Sequence, residues 1–181
     1  RDVEDGIGIA LRGNWAQEGK VLVMINGVPV NDLDYGTYNL GGRVSLNMVS
    51  RIEITMGPGS VKYGGTAALG VINVVLKTNS EFVGSMVEGD LNYSRGINTR
   101  KSFSYSGNYS IANKYKLSVG FNTTKSLRST VYQILPEGDT LSWADSSQVE
   151  SIYFNIGLLR NRFRSNIYFS NYQYNLSDAS N

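Results

Sequence analysis

The residues of this chain that could do chemistry are carboxylates, amides, hydroxyls and basic side chains, because its 181 residues include neither His nor Cys. A Ser-His-Asp or Cys-His nucleophilic site is therefore excluded, and a zinc site would need carboxylate ligands alone, which zinc rarely accepts. The 17 basic and 15 acidic residues give a net charge of +2 without the basic cluster of a nucleic-acid surface. The composition predicts a protein that is not an enzyme and that has no cofactor, metal or nucleic-acid partner.

Two glycine-rich segments have the composition of phosphate-binding loops. Residues 57–60 read G-P-G-S without the G-x-x-x-x-G-K-[ST] pattern, and residues 6–8 read G-I-G without the third glycine of a dinucleotide fingerprint. We interpret the first segment as a turn in which Ser60 begins a short helical turn by N-capping.

Three short apolar strands lie between Val21 and Thr78, and they position the turn at residues 57–60. Val21–Ile25 contains no polar residue, as expected of a strand that is covered on both faces. Asn26 and Gly27 follow as a turn that tolerates positive φ. A different, alternating pattern begins directly after Thr78, so the chain divides into two parts there.

The second part consists of segments of roughly ten residues in which apolar and polar side chains alternate. Such alternation indicates β-strands with two unlike faces, and we predict about five of them. Residues 112–114 and 160–162 form tight turns, residues 95–98 a short loop, and residues 126–149 a long loop. Outer-membrane barrels have short periplasmic turns, longer extracellular loops and apolar side chains towards lipid.

The alternation separates two sets of side chains. The predicted lipid-facing residues are Phe103, Tyr105, Tyr109, Leu117, Val119, Phe121, Ile156 and Ile167. The predicted lumen-facing residues are Ser104, Asn108, Lys116 and Arg164. The 12 Tyr, 6 Phe and 2 Trp suit the aromatic girdles of a membrane barrel. A soluble antiparallel sheet with one solvated face produces the same alternation, so the pattern alone leaves both alternatives open.

Two stretches of the first part carry specific motifs, IALRGNWAQEGKVLVMINGVPVND and RIEITMGPGSVKYGGTAALGVINVVLKT. The second contains an R-I-E strand, a G-P-x-S-x-x-Y-G turn and A-x-G-V-I-N before a strand that ends in K-T. Over roughly Asp2 to Thr78 these motifs resemble the plug domain of TonB-dependent outer-membrane receptors. In that family a large barrel begins just after the K-T, where the alternating segments begin here.

The resemblance implies a mixed fold: a small α+β plug domain at residues 1–79, followed by antiparallel transmembrane β-barrel strands at residues 80–181. About five strands cannot enclose a plug, since barrels of ~8 strands are filled by their own side chains. We therefore expect a partial barrel, formed by the opening strands of a 22-stranded one. With no signal peptide or initiator Met, the expected chain is a piece of a longer one, without the front of the plug and the TonB box.

The resemblance further implies TonB-dependent active uptake of a scarce solute, such as an iron chelate or cobalamin, across the outer membrane of a Gram-negative bacterium. The implied partners are TonB with ExbB and ExbD, the small-molecule solute and outer-membrane lipid. Two alternatives stay open: a non-transporting outer-membrane receptor or assembly component that retains a plug, and a soluble β-rich binding module.

On this interpretation, the plug loop after the Asn26-Gly27 turn binds the solute, because loops on rigid scaffolds carry recognition. The predicted ligand-binding residues of this apical loop are Asn31, Asp32, Asp34, Tyr35 and Tyr38. For each of them the alternative is an ordinary solvated loop position.

The resemblance also implies that plug arginines pair with barrel carboxylates, because a buried unpaired charge costs several kcal/mol. Arg12 matches one such arginine, whereas Met56 stands where family members commonly carry the second, so Arg51 is the predicted substitute. We expect both arginines to contact inward-facing carboxylates such as Glu88 or Asp90, or others on further strands, and Met56 to pack against apolar neighbours. For Arg51 the alternative is a solvated charge at a strand end.

Overall fold

The computed structural model describes residues 10–11, 14–15, 19–31, 42–77, 83–94, 97–112, 114–127, 132–134, 140–142 and 148–174. Within these residues, strands β1 (Ala10–Leu11) and β2 (Asn14–Trp15) form a separate antiparallel pair. The larger elements form two sheets, one of four strands and one of five.

The four-stranded sheet contains β3 (Val21–Ile25), β4 (Val28–Pro29), β5 (Val49–Met56) and β6 (Gly70–Leu76) in the order β4-β3-β6-β5. Strands β3 and β6 are parallel, and β5 joins the other edge of β6 in antiparallel fashion. Helix α1 (Ser60–Tyr63) and 3-10 turns at Leu46–Met48 and Gly65–Ala67 complete this unit. The helical turn begins at Ser60, as predicted, while N-capping by the Ser60 side chain stays a prediction.

Strand β3 lies at the centre of this unit because all five of its residues are buried. On one face Ile25 packs with Met48 and Val74, and on the other Leu22 and Met24 pack with Ala67. The continuous apolar run therefore reflects cover on both faces, as predicted. The chain leaves β3 through Asn26 and Gly27, whose φ angles are 49° and 80°.

Gly59 allows α1 to lie close to the sheet. A Cβ at this position would lie 3.2 Å from Val71 Cγ2 and 3.3 Å from the Ala67 Cβ, which is closer than most real contacts of this kind. The glycine of the G-P-G-S turn thus serves close packing of the backbone on β6.

The second sheet is an antiparallel meander of β7 (Gly84–Ser94), β8 (Ile97–Ile111), β9 (Tyr115–Leu127), β12 (Gln148–Arg160) and β13 (Phe163–Tyr174). A hairpin of β10 (Tyr132–Ile134) and β11 (Thr140–Ser142) interrupts the long loop. The five predicted strands and both tight turns are confirmed. The loop predicted at residues 95–98 is shorter, because β8 already begins at Ile97.

The two faces of this sheet differ as predicted. The register places all eight predicted lipid-facing residues on one face, which we call the outer face. The four predicted lumen-facing residues lie on the opposite, inner face together with the buried Asn122 and Ser151. No helix among the described residues is long and apolar enough to cross a membrane.

The expectation that Met56 packs against apolar neighbours is wrong for this structure, since Met56 is 70% exposed. It ends β5, the outermost strand of the four-stranded sheet, and Ile52 and Ile54 on the same strand face are exposed as well. In the described part of the chain no element covers that face.

Candidate functional site

The two sheets contact each other through an inter-sheet interface, formed by Asn26 and residues 42–48 of the first unit and the inner face of the second sheet. Asn122 Nδ2 donates to the carbonyl oxygens of Gly42 at 2.8 Å and Arg43 at 3.1 Å. Because both acceptors are backbone oxygens, Asn122 fixes the path of the backbone at residues 42–43 whatever side chains those residues carry.

The next residues of the segment bond to β7 and β8. Asn47 Nδ2 donates to Ser104 Oγ at 2.7 Å, and both residues are buried. Ser45 Oγ donates to Glu88 Oε2 at 3.1 Å and also accepts from the Asn47 backbone N–H, which caps the 3-10 turn. The cap and the contacts across the interface therefore share the same side chains.

An apolar centre lies between these polar contacts. Met48 and Ile25 of the first unit pack with Tyr153 of β12, and Tyr153 is only 1% exposed. The sheet admits Met48 because Gly120 has no side chain: a Cβ there would lie 2.7 Å from Met48 Sδ and 3.1 Å from Asn155 Cγ. Burial of these side chains is the main apolar contribution to the interface.

A third contact joins the β3 turn to β13. Asn26 Nδ2 donates to the Tyr168 hydroxyl at 3.1 Å, while Asn26 Oδ1 accepts from the Leu76 backbone N–H at 2.8 Å. One amide thus holds both the end of β6 and the inner face of the second sheet. The positive φ of Asn26 belongs to a conformation that Asn adopts more readily than most residues.

Besides the Glu88 carboxylate, the interface contains the positive charge of Arg43, whose guanidinium carbon lies 4.2 Å from the centre of the Tyr172 ring. Two ion pairs join described residues, and each lies within one sheet: Arg51 Nη2 with Glu53 Oε1 at 2.8 Å, and Lys125 Nζ with Glu150 Oε1 at 2.5 Å. The described contacts between the sheets are hydrogen bonds, apolar packing and this cation–π contact.

On the far side of the first unit, Asn73 links the β3 turn to β5. Its Oδ1 accepts from the Gly27 backbone N–H, and its Nδ2 donates to Glu53 Oε2, both at 2.9 Å. The hydrogen bonds from Asn73 and then from Arg51 lower the pKa of Glu53 below its ordinary value. No group of three or more acidic side chains that could hold a metal occurs in the described ranges.

Comparison with known proteins agrees with this arrangement. The family described as the TonB-dependent receptor plug domain matches residues 2–71. The vitamin B12 transporter BtuB of Vibrio vulnificus (strain CMCP6) is 28% identical over 108 residues. Residues 2–71 therefore belong to the plug-domain family of the TonB-dependent receptors. From here we call the first unit the plug and the five-stranded sheet the wall.

Solved receptors share the fold. A variant of the ferric enterobactin receptor PfeA from Pseudomonas aeruginosa matches with a TM-score of 0.60 at 17% identity, over 93% of this chain and 29% of that chain. The siderophore receptor PirA from the same organism matches with a TM-score of 0.55 at 20% identity, over 86% and 26%. These matches confirm the predicted fold class of a plug followed by strands of a partial barrel.

The match to BtuB covers 57% of this chain but only 17% of the transporter, so the chain spans a small part of its relative. The relatives are a transporter and receptors, which confirms the prediction that the chain is not an enzyme.

Among the predicted ligand-binding residues, only Asn31 lies in the described part of the chain. Its Oδ1 accepts from the Val23 backbone N–H at 2.7 Å, and its Nδ2 donates to the Val21 carbonyl at 3.0 Å. Asn31 thereby fixes the start of the apical loop to β3. Asp32, Asp34, Tyr35 and Tyr38 lie outside the described residues, as does Arg12 of the predicted anchors.

The predicted anchor Arg51 is paired with Glu53 of its own strand rather than with Glu88 or Asp90. Glu88 accepts from Ser45, and Asp90 accepts from Ser102 at 2.9 Å. Anchoring by Arg12 or Arg51 to further strands stays a prediction.

Sequence reasoning missed the uncharged contacts of the plug with the wall. The available signal was a bulky aromatic on a polar strand face: Tyr153 and Tyr168 share the parity of Ser151 and Asn166, not that of Ile152 and Ile167. On a lumen-facing position, such a side chain indicates packing against an enclosed element.

Proposed function

We propose that this chain supplies the plug, residues 1–79, and the opening strands, residues 80–181, of a 22-stranded receptor that takes up a scarce solute across the outer membrane of a Gram-negative bacterium. TonB, energised by ExbB and ExbD, would displace the plug. The observation that carries the proposal is the interface itself: a domain of the plug family packs on the polar inner face of an antiparallel sheet whose outer face is apolar.

The chemistry of the interface suits a plug that must move. Net contributions of neutral hydrogen bonds are about 1 kcal/mol each, whereas breaking a buried ion pair costs about 3–5 kcal/mol. Contacts such as Asn47 to Ser104 and Asn26 to Tyr168 therefore hold the plug in register with small individual energies. A pulling force can break them one after another.

For the solute we propose cobalamin or an iron chelate. The relative that is 28% identical is named a vitamin B12 transporter, and the two structural neighbours are named ferric enterobactin and siderophore receptors. The apical loop follows β3 and begins at Asn31, whose side chain is bound to the backbone of that strand. A loop anchored in this way is suited to present Asp34 and Tyr35 to the solute.

Uptake by cells that express the full-length receptor tests the proposal. Radiolabelled cyanocobalamin and a ferric siderophore should be supplied to cells with and without a functional TonB. Accumulation of one of them that stops when TonB is removed supports the proposal. Binding without TonB-dependent accumulation would instead support a non-transporting receptor.

The apical loop is tested separately in the purified full-length receptor. Replacing Asp34 and Tyr35 together by Ala should weaken solute binding by at most a few kcal/mol and leave the plug folded, because loop positions contribute little to the core. Unchanged affinity would move the binding site to wall loops such as residues 126–149.

A further inference from the structure

Two buried amide side chains on the inner face of the wall have polar atoms without hydrogen-bond partners. Asn108 of β8 is 1% exposed, and neither its Nδ2 nor its Oδ1 has a partner among the described residues. Asn155 of β12 is 7% exposed, and its Oδ1 is unpartnered within the same ranges. A buried polar group without a partner costs free energy, and proteins accept such costs mainly at functional sites.

Asn155 lies where Met48 of the plug contacts the wall. Its cross-strand partner on β9 is Gly120, and a Cβ added to Gly120 would clash most closely with Asn155 Oδ1. Met48 Sδ would lie 2.7 Å from the same Cβ, so the Met48 side chain and the Asn155 amide lie together over the glycine. Withdrawal of Met48 therefore uncovers the Asn155 amide.

Asn108 belongs to a row of small polar residues beside this contact. Asn108, Ser118, Gly157 and Asn166 are successive cross-strand partners on β8, β9, β12 and β13, and we call them the polar row. Ser118 Oγ donates to the Gly157 carbonyl oxygen at 3.4 Å, and a Cβ at Gly157 would lie 2.9 Å from Asn166 Oδ1. The polar row contains no charged residue and lies two residues nearer the tight turns than Gly120.

The plug does not use the polar row as a hydrogen-bonding surface. Among the described residues, the side-chain hydrogen bonds between plug and wall involve Glu88, Ser104, Asn122 and Tyr168, and none involves a member of the polar row. An amide offers both donors and acceptors, so Asn108 can pair with hydroxyl, amide and carbonyl groups alike. The chemistry of the row therefore fits a hydrophilic molecule with uncharged hydrogen-bonding groups.

We propose that Asn108 and Asn155 form a second solute site, which binds a hydrophilic solute as it passes between the displaced plug and the wall. When the plug withdraws from Gly120, amide and hydroxyl groups of the solute become the partners that the two amides lack in the resting receptor. The polar row continues from Asn108 around the wall beside this path. The site rests on the proposed uptake function, but it is separate from the apical loop.

Photo-crosslinking in cells that express the full-length receptor tests the site. The photoreactive residue p-benzoylphenylalanine replaces Ser118, and cells with and without functional TonB receive radiolabelled cyanocobalamin or a radiolabelled ferric siderophore. The probe that the cells accumulate should label position 118 only when TonB is functional. Val119 is the next residue of β9 and lies on the outer face, so the same replacement there is the matched control and should give no labelling.

A pair of substitutions at Asn108 tests the hydrogen bond itself. Asn108→Ala and Asn108→Ser shorten the side chain similarly, but only Ser keeps a donor and an acceptor. Uptake of the accumulated probe should be about fivefold slower in the Asn108→Ala receptor than in the Asn108→Ser receptor, as expected for one lost hydrogen bond. The affinity of both resting receptors for the probe should equal that of the native receptor, because the apical loop is unchanged.

Three results would overturn the proposal. They are labelling at position 118 without TonB, no labelling there in cells whose TonB-dependent uptake is normal, and equal uptake by the Asn108→Ala and Asn108→Ser receptors. If the photoreactive residue itself blocks uptake, the Ala and Ser pair decides. Each of these results leaves the proposed function standing. Failure of the proposed function appears instead as no TonB-dependent accumulation by the native receptor, and it removes both proposals.

Discussion

The fit of Met48 against Gly120 predicts that Gly120→Ala loosens the plug. The added Cβ would clash most closely with Asn155 Oδ1 and would lie 2.7 Å from Met48 Sδ; both residues are buried, so both side chains must move. Asn155 Oδ1 has no hydrogen-bond partner in the described part of the chain and can rotate without breaking a bond. The cost then falls on Met48, and overpacking of this kind costs about 1–3 kcal/mol.

Amide hydrogen exchange in the full-length receptor measures this cost. A loss of about 1–3 kcal/mol should speed exchange of the Met48–Met56 amides roughly 5-fold to 150-fold, if they exchange by plug release. Gly89→Ala is the control, because its Cβ would meet only a carbonyl oxygen at 3.9 Å. In the Gly89→Ala receptor the exchange rate of the Met48–Met56 amides should not change.

A double-mutant cycle shows whether Met48 is responsible. In a Met48→Ala background the sulfur is gone. The free-energy cost of Gly120→Ala should then be smaller by at least about 0.5 kcal/mol, the lower end of the interaction energies found for residues in contact. Equal cost in both backgrounds, or faster exchange in Gly89→Ala as well, would refute the role assigned to this contact.

Three further predictions concern the hydrogen bonds and ion pairs. Tyr168→Phe removes the acceptor of the Asn26 amide and should cost about 1 kcal/mol of plug attachment, measured by the same exchange experiment. Asn73→Ala should raise the pKa of Glu53 towards its ordinary 4.5, which carboxyl NMR titration measures. Because the pKa of Glu53 is lowered in the folded protein, its contribution to stability is present above pH 4.5. That contribution is lost as the pH falls through the folded-state pKa. Glu150→Gln should change the free energy of unfolding by less than about 1 kcal/mol, measured in denaturant, because its ion pair is exposed.

The elements were predictable because each has a local cause. An all-apolar run predicts the buried β3, period-two alternation predicts the strands of the wall, and Asn26-Gly27 predicts a turn with positive φ. The side chains that join plug and wall were not predictable in the same way. Asn47 and Ser104 are 57 residues apart, and nothing local to either indicates the other.

Met56 illustrates why the environment of the anchoring residues was even harder to predict from the sequence. Its type suggested packing, but its exposure depends on the position of β5 at the edge of the plug sheet, which is set by strand order. Arg51 likewise finds its partner two residues away because Glu53 projects from the same strand face.

The sequence by itself determined the two parts of the chain, their strands and the two unlike faces of the wall, since these follow from short-range periodicity and turn chemistry. The tertiary structure alone decided which uncharged side chains fasten the plug: Asn122 to the 42–43 backbone, Met48 over Gly120, and Asn26 to Tyr168. The physical reason is that such contacts depend on the register between two sheets distant in sequence. Small shifts in that register exchange one polar partner for another.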